Sequence, residues 1–275
     1  MKKLLATLLA LTLLLSAAGA MAAEKIVIGA TPSPHEEILE LIKDDFEALG
    51  YELEIVTFTE YPLPNPALAD GELDANYFQH LAYMESYNDT VSDEEKLVAA
   101  IGVHYEPFAI YAGRTASLDE LPDGGIVVVT NDPSNETRAL LLLQEAGLIT
   151  LPEGTDTSSS VTVLDIVDNP KGLDIREMDA NLIPSTLADV DIAVINGNFA
   201  LDAGLSPARD AIFVEPADSE VGKVYTNYVV IRQEDVDSQW VKDLESVLCS
   251  QKVADFMLNN EAYQGGVIPV FTTEE

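Results

Sequence analysis

The stretch NDPSNETRAL, residues 131–140, places an arginine about one turn into what reads as a helix, directly behind the apolar strand VVVT. Cations are scarce in this chain: 14 Lys plus Arg stand against 48 Asp plus Glu, a net charge of −34. A cation near a helix N-terminus works against the helix dipole, which favours anions at that end. Arg138 is therefore either a solvated surface residue or one half of an anion grip, since its planar fork suits a carboxylate. Asp132 or Ser134 can cap this helix, and Pro133 suits its first turn. The strand-turn-helix arrangement aims free N–H groups at the carboxyl edge of a sheet, where ligands bind in open α/β folds. On this reading, Arg138→Ala loses ligand affinity and leaves the fold intact.

Two more strand ends carry groups of the right kind. ANYFQHLAYM supplies Tyr77, Phe78, His80 and Tyr83, an aromatic cluster with one imidazole, which reads as core packing or as the wall of a pocket. IAVINGNFA ends in Asn196, Gly197 and Asn198, which read as turn formers or as amide acceptors for an ammonium group. A carboxylate gripper, amide acceptors and an aromatic wall together describe a pocket for a zwitterion with an apolar side chain. Enzyme signatures are absent: there is no G-x-S-x-G, Walker A, H-E-x-x-H, or G-x-G-x-x-G after a strand. His35, His80 and His104 lie far apart without metal-ligand spacing, so neither metal nor cofactor is expected. A secreted hydrolase stays as the less favoured alternative.

The elements needed to position these groups follow from periodicity. KIVIGA (25–30), ELEIVTF (52–58) and the helical stretch between them form a β-α-β unit, with Ile38, Ile42, Phe46 and Leu49 on one helix face and Gly50 at its C-terminal stop. A short helix at NPALADG leads to a strand entered near Asp74; LVAAIG and YEPFAIYAG (105–113) read as further strands. GIVVVT (125–130), RALLLLQEAGL (138–148), LDIREM (173–178) and DIAVING (191–197) make a second alternating α/β series. YTNYVVIRQ (225–233) is a strand, followed by two amphipathic helices across 238–260. The fold class is thus α/β in two units. PEGTDTSSSV (152–161) reads as an exposed loop.

The first 23 residues stand apart. Lys2 and Lys3 precede a short apolar run and an A-x-A match at Ala20-Met21-Ala22, the pattern of a cleaved secretory signal. Without those two lysines, 12 cations face 48 acids, which disfavours nucleic acid and anionic membranes as partners. Cys249, the single cysteine, admits no internal disulfide and sits at helical spacing with Leu244, Val247 and Val253, as a core thiol would.

In order along the chain, VTFTEYPLPNPALADGELDANYFQHLAYM, GVHYEPFAIYA, VTNDPSNETRALLLLQEAGLI, TVLDIVDNPKGL, DIAVING, FVEP and YTNYVVIR resemble the NlpA/MetQ-type methionine-binding proteins of ABC importers over nearly all of residues 24–265. The resemblance implies a type II periplasmic-binding fold, two α/β lobes joined by crossing strands with an amino acid held between them. Its expected segments are a signal peptide at 1–23, lobe I at 24–112 and 221–275, and lobe II at 113–220, with hinges near 111–115 and 218–224. It further implies that Arg138 binds the ligand carboxylate, with Asn135 beside it, and that Asn196 and Asn227 accept from the ammonium group. Tyr61, Phe78, His80, Tyr83, His104 and Tyr105 become the expected wall of the side-chain pocket. The implied partners are methionine or a related amino acid, a membrane permease and its ATPase, and the implied state is a monomer. Another amino acid or a methionine-containing dipeptide is the alternative ligand. Three departures from the family pattern stand out: the leader lacks the cleavage-site cysteine of lipoprotein relatives, which points to an unanchored form, and INGNFA and NETR replace I-N-T-T-Y-A and N-L-G-R.

Overall fold

The structure, a computed structural model, describes residues 23–216 and 224–273. The expected leader therefore lies outside the described residues but for Ala23, as does most of the expected hinge at 218–224. Chain order gives β1 (Glu24–Ala30), α1 (Glu37–Glu47), β2 (Tyr51–Thr57), α2 (Pro64–Ala69), β3 (Ala75–His80), α3 (Leu81–Asn88) and β4 (Leu97–Tyr105). Then come β5 (Ala109–Ala112), β6 (Ile126–Thr130), α4 (Pro133–Glu145), β7 (Asp174–Met178), β8 (Ile192–Ile195), α5 (Gly197–Asp202), α6 (Pro207–Asp210) and β9 (Ala211–Val214). The chain closes with β10 (Thr226–Arg232), α7 (Gln239–Leu248), α8 (Gln251–Asn259) and β11 (Ile268–Pro269).

These strands make two sheets, ordered β11-β4-β10-β3-β1-β2 and β7-β6-β8-β5-β9. Both centres are parallel, as the β-α-β periodicity requires: β1 pairs with β2 and β3, and β6 with β7 and β8. Helix α1 buries Ile38, Ile42 and Phe46 against the first sheet, and Gly50 follows it at φ 106°, a conformation glycine adopts at little cost. Leu49, expected on the same face, is instead about half exposed, because the helix ends before the periodicity reaches it. In the second lobe Ala139, Leu140, Leu142 and Leu143 of α4 join Val127, Val129, Ile192 and Val194 in a separate apolar core.

The lobe boundary differs from the expected one. Strand β4 continues to Tyr105, while Ala109–Ala112 pairs with β8 and β9 in the second sheet. The first crossover is thus Glu106-Pro107-Phe108, not residues 111–115. Pro107 has no N–H to give either ladder, which is why the chain changes sheets there. Return to the first lobe falls between Val214, the end of β9, and Thr226, the start of β10.

Strand β10 does the positioning. Inserted antiparallel between β3 and β4, it pairs Asn227 with His80 on one side and with His104 on the other. Cys249 packs half-buried against the first core, where burial pushes its thiol up to about 11.

Candidate ligand-binding site

A cavity lies between the lobes, lined by Tyr61, Phe78, His80, Tyr83, Asn135, Arg138, Asn196 and Asn227 among the expected residues, and by Gln79, Glu106, Gly197 and Asn198 besides. The lobes meet across it: Tyr61 OH donates to Asn198 Oδ1 (2.5 Å), His80 Nε2 to Asn135 Oδ1 (2.9 Å), and Ser33 N to Asp202 Oδ1 (3.1 Å).

Arg138 is buried and already paired. Its Nε and Nη2 donate to Glu215 Oε1 (2.9 Å) and Oε2 (2.5 Å), and Nη2 also reaches the Glu106 carbonyl (2.8 Å). Tyr225 and Phe108 cover the guanidinium, with ring centroids 4.0 and 4.6 Å from Cζ. Burial alone would raise the Glu215 carboxyl, but the Arg138 charge, with donation from Tyr105 OH and Phe108 N, holds it below the usual carboxylate range. A ligand carboxylate would therefore have to meet Arg138 at Nη1, because the other edge of the fork is occupied. The helix start is likewise occupied: Asp132 caps α4 by accepting from Asn135 N (3.0 Å) and Ser134 Oγ (3.1 Å).

The aromatic wall is contiguous. The Tyr61 ring lies 5.8 Å from Phe78, 5.6 Å from Tyr83 and 4.8 Å from Phe199. His80 caps α3, its Nδ1 accepting from Tyr83 N, so the proton sits on the Nε2 that faces Asn135. Beside this wall, Asn196 Oδ1 and Asn198 Nδ2 are buried with no hydrogen-bond partner among the described residues. One is an acceptor and one a donor, within a cavity that also presents Arg138 and Glu106.

His104 and Tyr105 do not line the cavity. Tyr105 OH turns to Glu215 (2.6 Å), supporting the arginine pair from behind. His104 lies one layer below, between Tyr77 OH (2.5 Å at Nδ1) and Glu106 Oε1 (2.7 Å at Nε2). His35 joins them: its Nδ1 meets Thr31 Oγ1 (2.8 Å), and its Nε2 faces Asn227 Oδ1 (3.1 Å) and Glu106 Oε1 (3.5 Å). Sequence spacing thus hid a cluster that folding creates, His35, His104 and Glu106. Sequence reasoning also missed Glu106 and Glu215 as members of the site. A signal existed: both crossovers carry an acid between an apolar strand and a proline, YEP at 105–107 and VEP at 214–216.

All three histidines of the chain are neutral here. Burial pushes His35 down to about 4, His104 to about 3, and His80, aided by the Arg138 charge, to about 3. Depressed imidazole values mean that the unfolded chain binds more protons below about 6.5, so this contribution to stability is present above that pH and is lost as pH falls toward 4. Imidazole NMR is therefore expected to show no titrating histidine between pH 8 and 5.5 in the folded protein. A resonance titrating near 6.5 would place that ring in solvent, contrary to the structure.

The NlpA lipoprotein family model matches residues 26–271. The methionine-binding lipoprotein MetQ of Bacillus subtilis is 39% identical over 94% of this chain and 96% of its own length. The D-methionine-binding lipoprotein MetQ of Escherichia coli K12 is 40% identical over 88% of this chain and 86% of its own. A nutrient-binding protein of Burkholderia cenocepacia, solved bound to methionine, superposes with a TM-score of 0.83 at 39% identity, covering 90% of this chain and 100% of that one. The two-lobed α/β architecture, the cavity between the lobes and this extent of similarity make the chain a member of the NlpA lipoprotein family.

Proposed function

We propose that the chain is a solute-binding protein of an ABC importer, carried to the cell envelope, that closes its two lobes around methionine and hands it to a membrane permease driven by an ATPase. The observation that carries this reading is a pair of buried amide atoms without partners among the described residues, Asn196 Oδ1 and Asn198 Nδ2, in a cavity that also presents an aromatic wall and two charged residues. A buried polar atom without a partner costs about 1–3 kcal/mol, and an amino-acid headgroup offers both complements at once. The soft wall of Tyr61, Phe78 and Tyr83 suits a thioether, whose sulfur–aromatic contacts contribute roughly 0.3–1.5 kcal/mol each. The relative solved with methionine bound supports the same ligand class.

L-methionine is the proposed ligand, with the D isomer, a methionine dipeptide and leucine as its competitors. A pocket separates apolar side chains of similar size by only ~1–3 kcal/mol, so preference among them is graded. The protein acts as a monomer, and its relatives are named lipoproteins. No helix among the described residues is long and apolar enough to cross a membrane. The test is to denature purified protein, identify the released small molecule by mass spectrometry, and titrate the refolded, emptied protein calorimetrically. Intact methionine is expected in the first step, with methionine binding more tightly than leucine in the second. Binding of neither amino acid, or recovery of a chemically altered compound, would overturn the reading.

A further inference from the structure

Charge in the site does not balance among the described residues. Arg138 is matched by Glu215. Glu106, also buried, has no such counterion among the described residues: its Oε1 accepts from His104 Nε2 and lies 3.5 Å from His35 Nε2, both rings are neutral, and the already paired Arg138 charge is the weakest of its attractions. Donation from the backbone of Asn198 adds a dipole, not a charge. Burial drives the Glu106 carboxyl upward, which is the mark of an anion short of a partner.

The carboxylate is also held firmly in place. Tyr77 OH and Thr31 Oγ1 engage the outer nitrogens of His104 and His35, so both Nε2 atoms turn inward. His35 Nε2 faces two oxygens, Asn227 Oδ1 and Glu106 Oε1, neither of which can donate to it if Glu106 is ionised, so it carries the proton. On its other side Glu106 packs against Gly197, next to Asn196 and its unpartnered Oδ1: a Cβ built on Gly197 would lie 2.5 Å from Glu106 Oε2. The carboxylate, an orphaned amide oxygen and Asn227 thus all face the same cavity.

We propose that Glu106 is the counterion of the ligand's α-ammonium group and so selects amino acids with a free amino group, and that His35 and His104 are positioning residues which aim it. The proposal rests on the amino-acid-binding reading above and adds which residue reads the amine. His104 acts by donating to Oε1, and His35 by fixing both that oxygen and Asn227. The same three side chains have their nitrogen and oxygen atoms within 4.8 Å of one another, a spacing that could also hold a metal ion, so the test must separate the two roles.

Calorimetric titration compares methionine with 4-(methylthio)butanoate, the same molecule without its amine, on the wild type and on Glu106→Gln. The wild type is expected to prefer methionine by about 100-fold, and Glu106→Gln to lose about 10- to 100-fold for methionine while binding the des-amino acid almost unchanged, because a hydrogen bond to a charged group is involved. His104→Gln is expected to lose less, in the same ligand-selective manner, and to add nothing in the Glu106→Gln background. Equal loss for both ligands would show a merely structural role and overturn the proposal. So would a wild type that binds the two ligands equally, a result that stands even where the variant does not fold. A zinc-induced rise in wild-type melting temperature that Glu106→Gln abolishes would make the cluster a metal site and overturn it too. A wild type that binds no amino acid at all overturns the functional reading, and the proposal falls with it.

Discussion

Arg138→Ala is expected to cost stability as well as affinity, lowering the melting temperature by roughly 6–20 °C. Sequence reasoning expects the opposite, a variant that is intact but does not bind. The difference lies in Glu215, which in the variant would stay buried with an uncompensated charge, held only by Tyr105 OH and Phe108 N. Breaking one side of a buried ion pair costs about 3–5 kcal/mol, and each kcal/mol shifts a chain of this size by about 2–4 °C. Removal of the guanidinium also leaves a gap between the Tyr225 and Phe108 rings. The paired variant Arg138→Met/Glu215→Gln removes both charges and is expected to regain more than half of the lost melting temperature in a thermal scan, with binding still impaired. A single Arg138→Ala variant that melts like the wild type would contradict the structural role of this pair.

The second large effect falls on closure. Gly197→Ala places a Cβ 2.5 Å from Glu106 Oε2 and 2.7 Å from Glu106 Cβ. The carboxylate tip could turn aside, but its Cβ is fixed to the crossover backbone, so the two lobes must part. Overpacking of this kind costs about 1–3 kcal/mol, and here the cost applies to the closed arrangement, not to either lobe by itself. Ligand affinity is therefore expected to fall about 5- to 150-fold, while the ligand-free protein melts close to the wild type. Affinity at the wild-type level would show that Gly197 and Glu106 do not meet in the bound state.

Much of the lobe architecture was legible because parallel strands buried on both faces read as apolar runs, and IVVVT and IAVI do so plainly. Periodicity also placed α1, β10 and the two closing helices. It failed at the crossover: YEPFAIYAG reads as one strand, and only the missing N–H of Pro107 shows where the chain leaves one sheet for the other. For the candidate site, residue chemistry pointed to Arg138, Phe78, His80, Tyr83 and Asn196, all of which line the cavity, and to Tyr77, which does not, while Tyr61, Asn135 and Asn227 came from the family resemblance. The partners of these residues were hidden because they come from distant sequence. Arg138 and Glu215 are 77 residues apart, and His35 and Asn227 are 192 apart. No local pattern signals such a contact, and with 48 acids in the chain a buried glutamate has no compositional mark.

The neutral histidines also change what the site can be. With His35, His80 and His104 all uncharged, the positive charge of the cavity among the described residues is Arg138 alone, and Glu215 already balances it. Recognition of a zwitterion then depends on directional groups: the Asn196 oxygen, the Asn198 nitrogen and the free edge of the guanidinium. Glu106 adds the anion.

The most direct test of a headgroup-reading cavity is a crystal structure of the methionine complex. The ammonium nitrogen is expected within about 2.7–3.2 Å of Asn196 Oδ1, the carboxylate toward Asn198 Nδ2 and Arg138 Nη1, and the thioether against Tyr61, Phe78 and Tyr83. Methionine bound with its carboxylate at Asn196 Oδ1, or bound outside the cavity between the lobes, would contradict this placement.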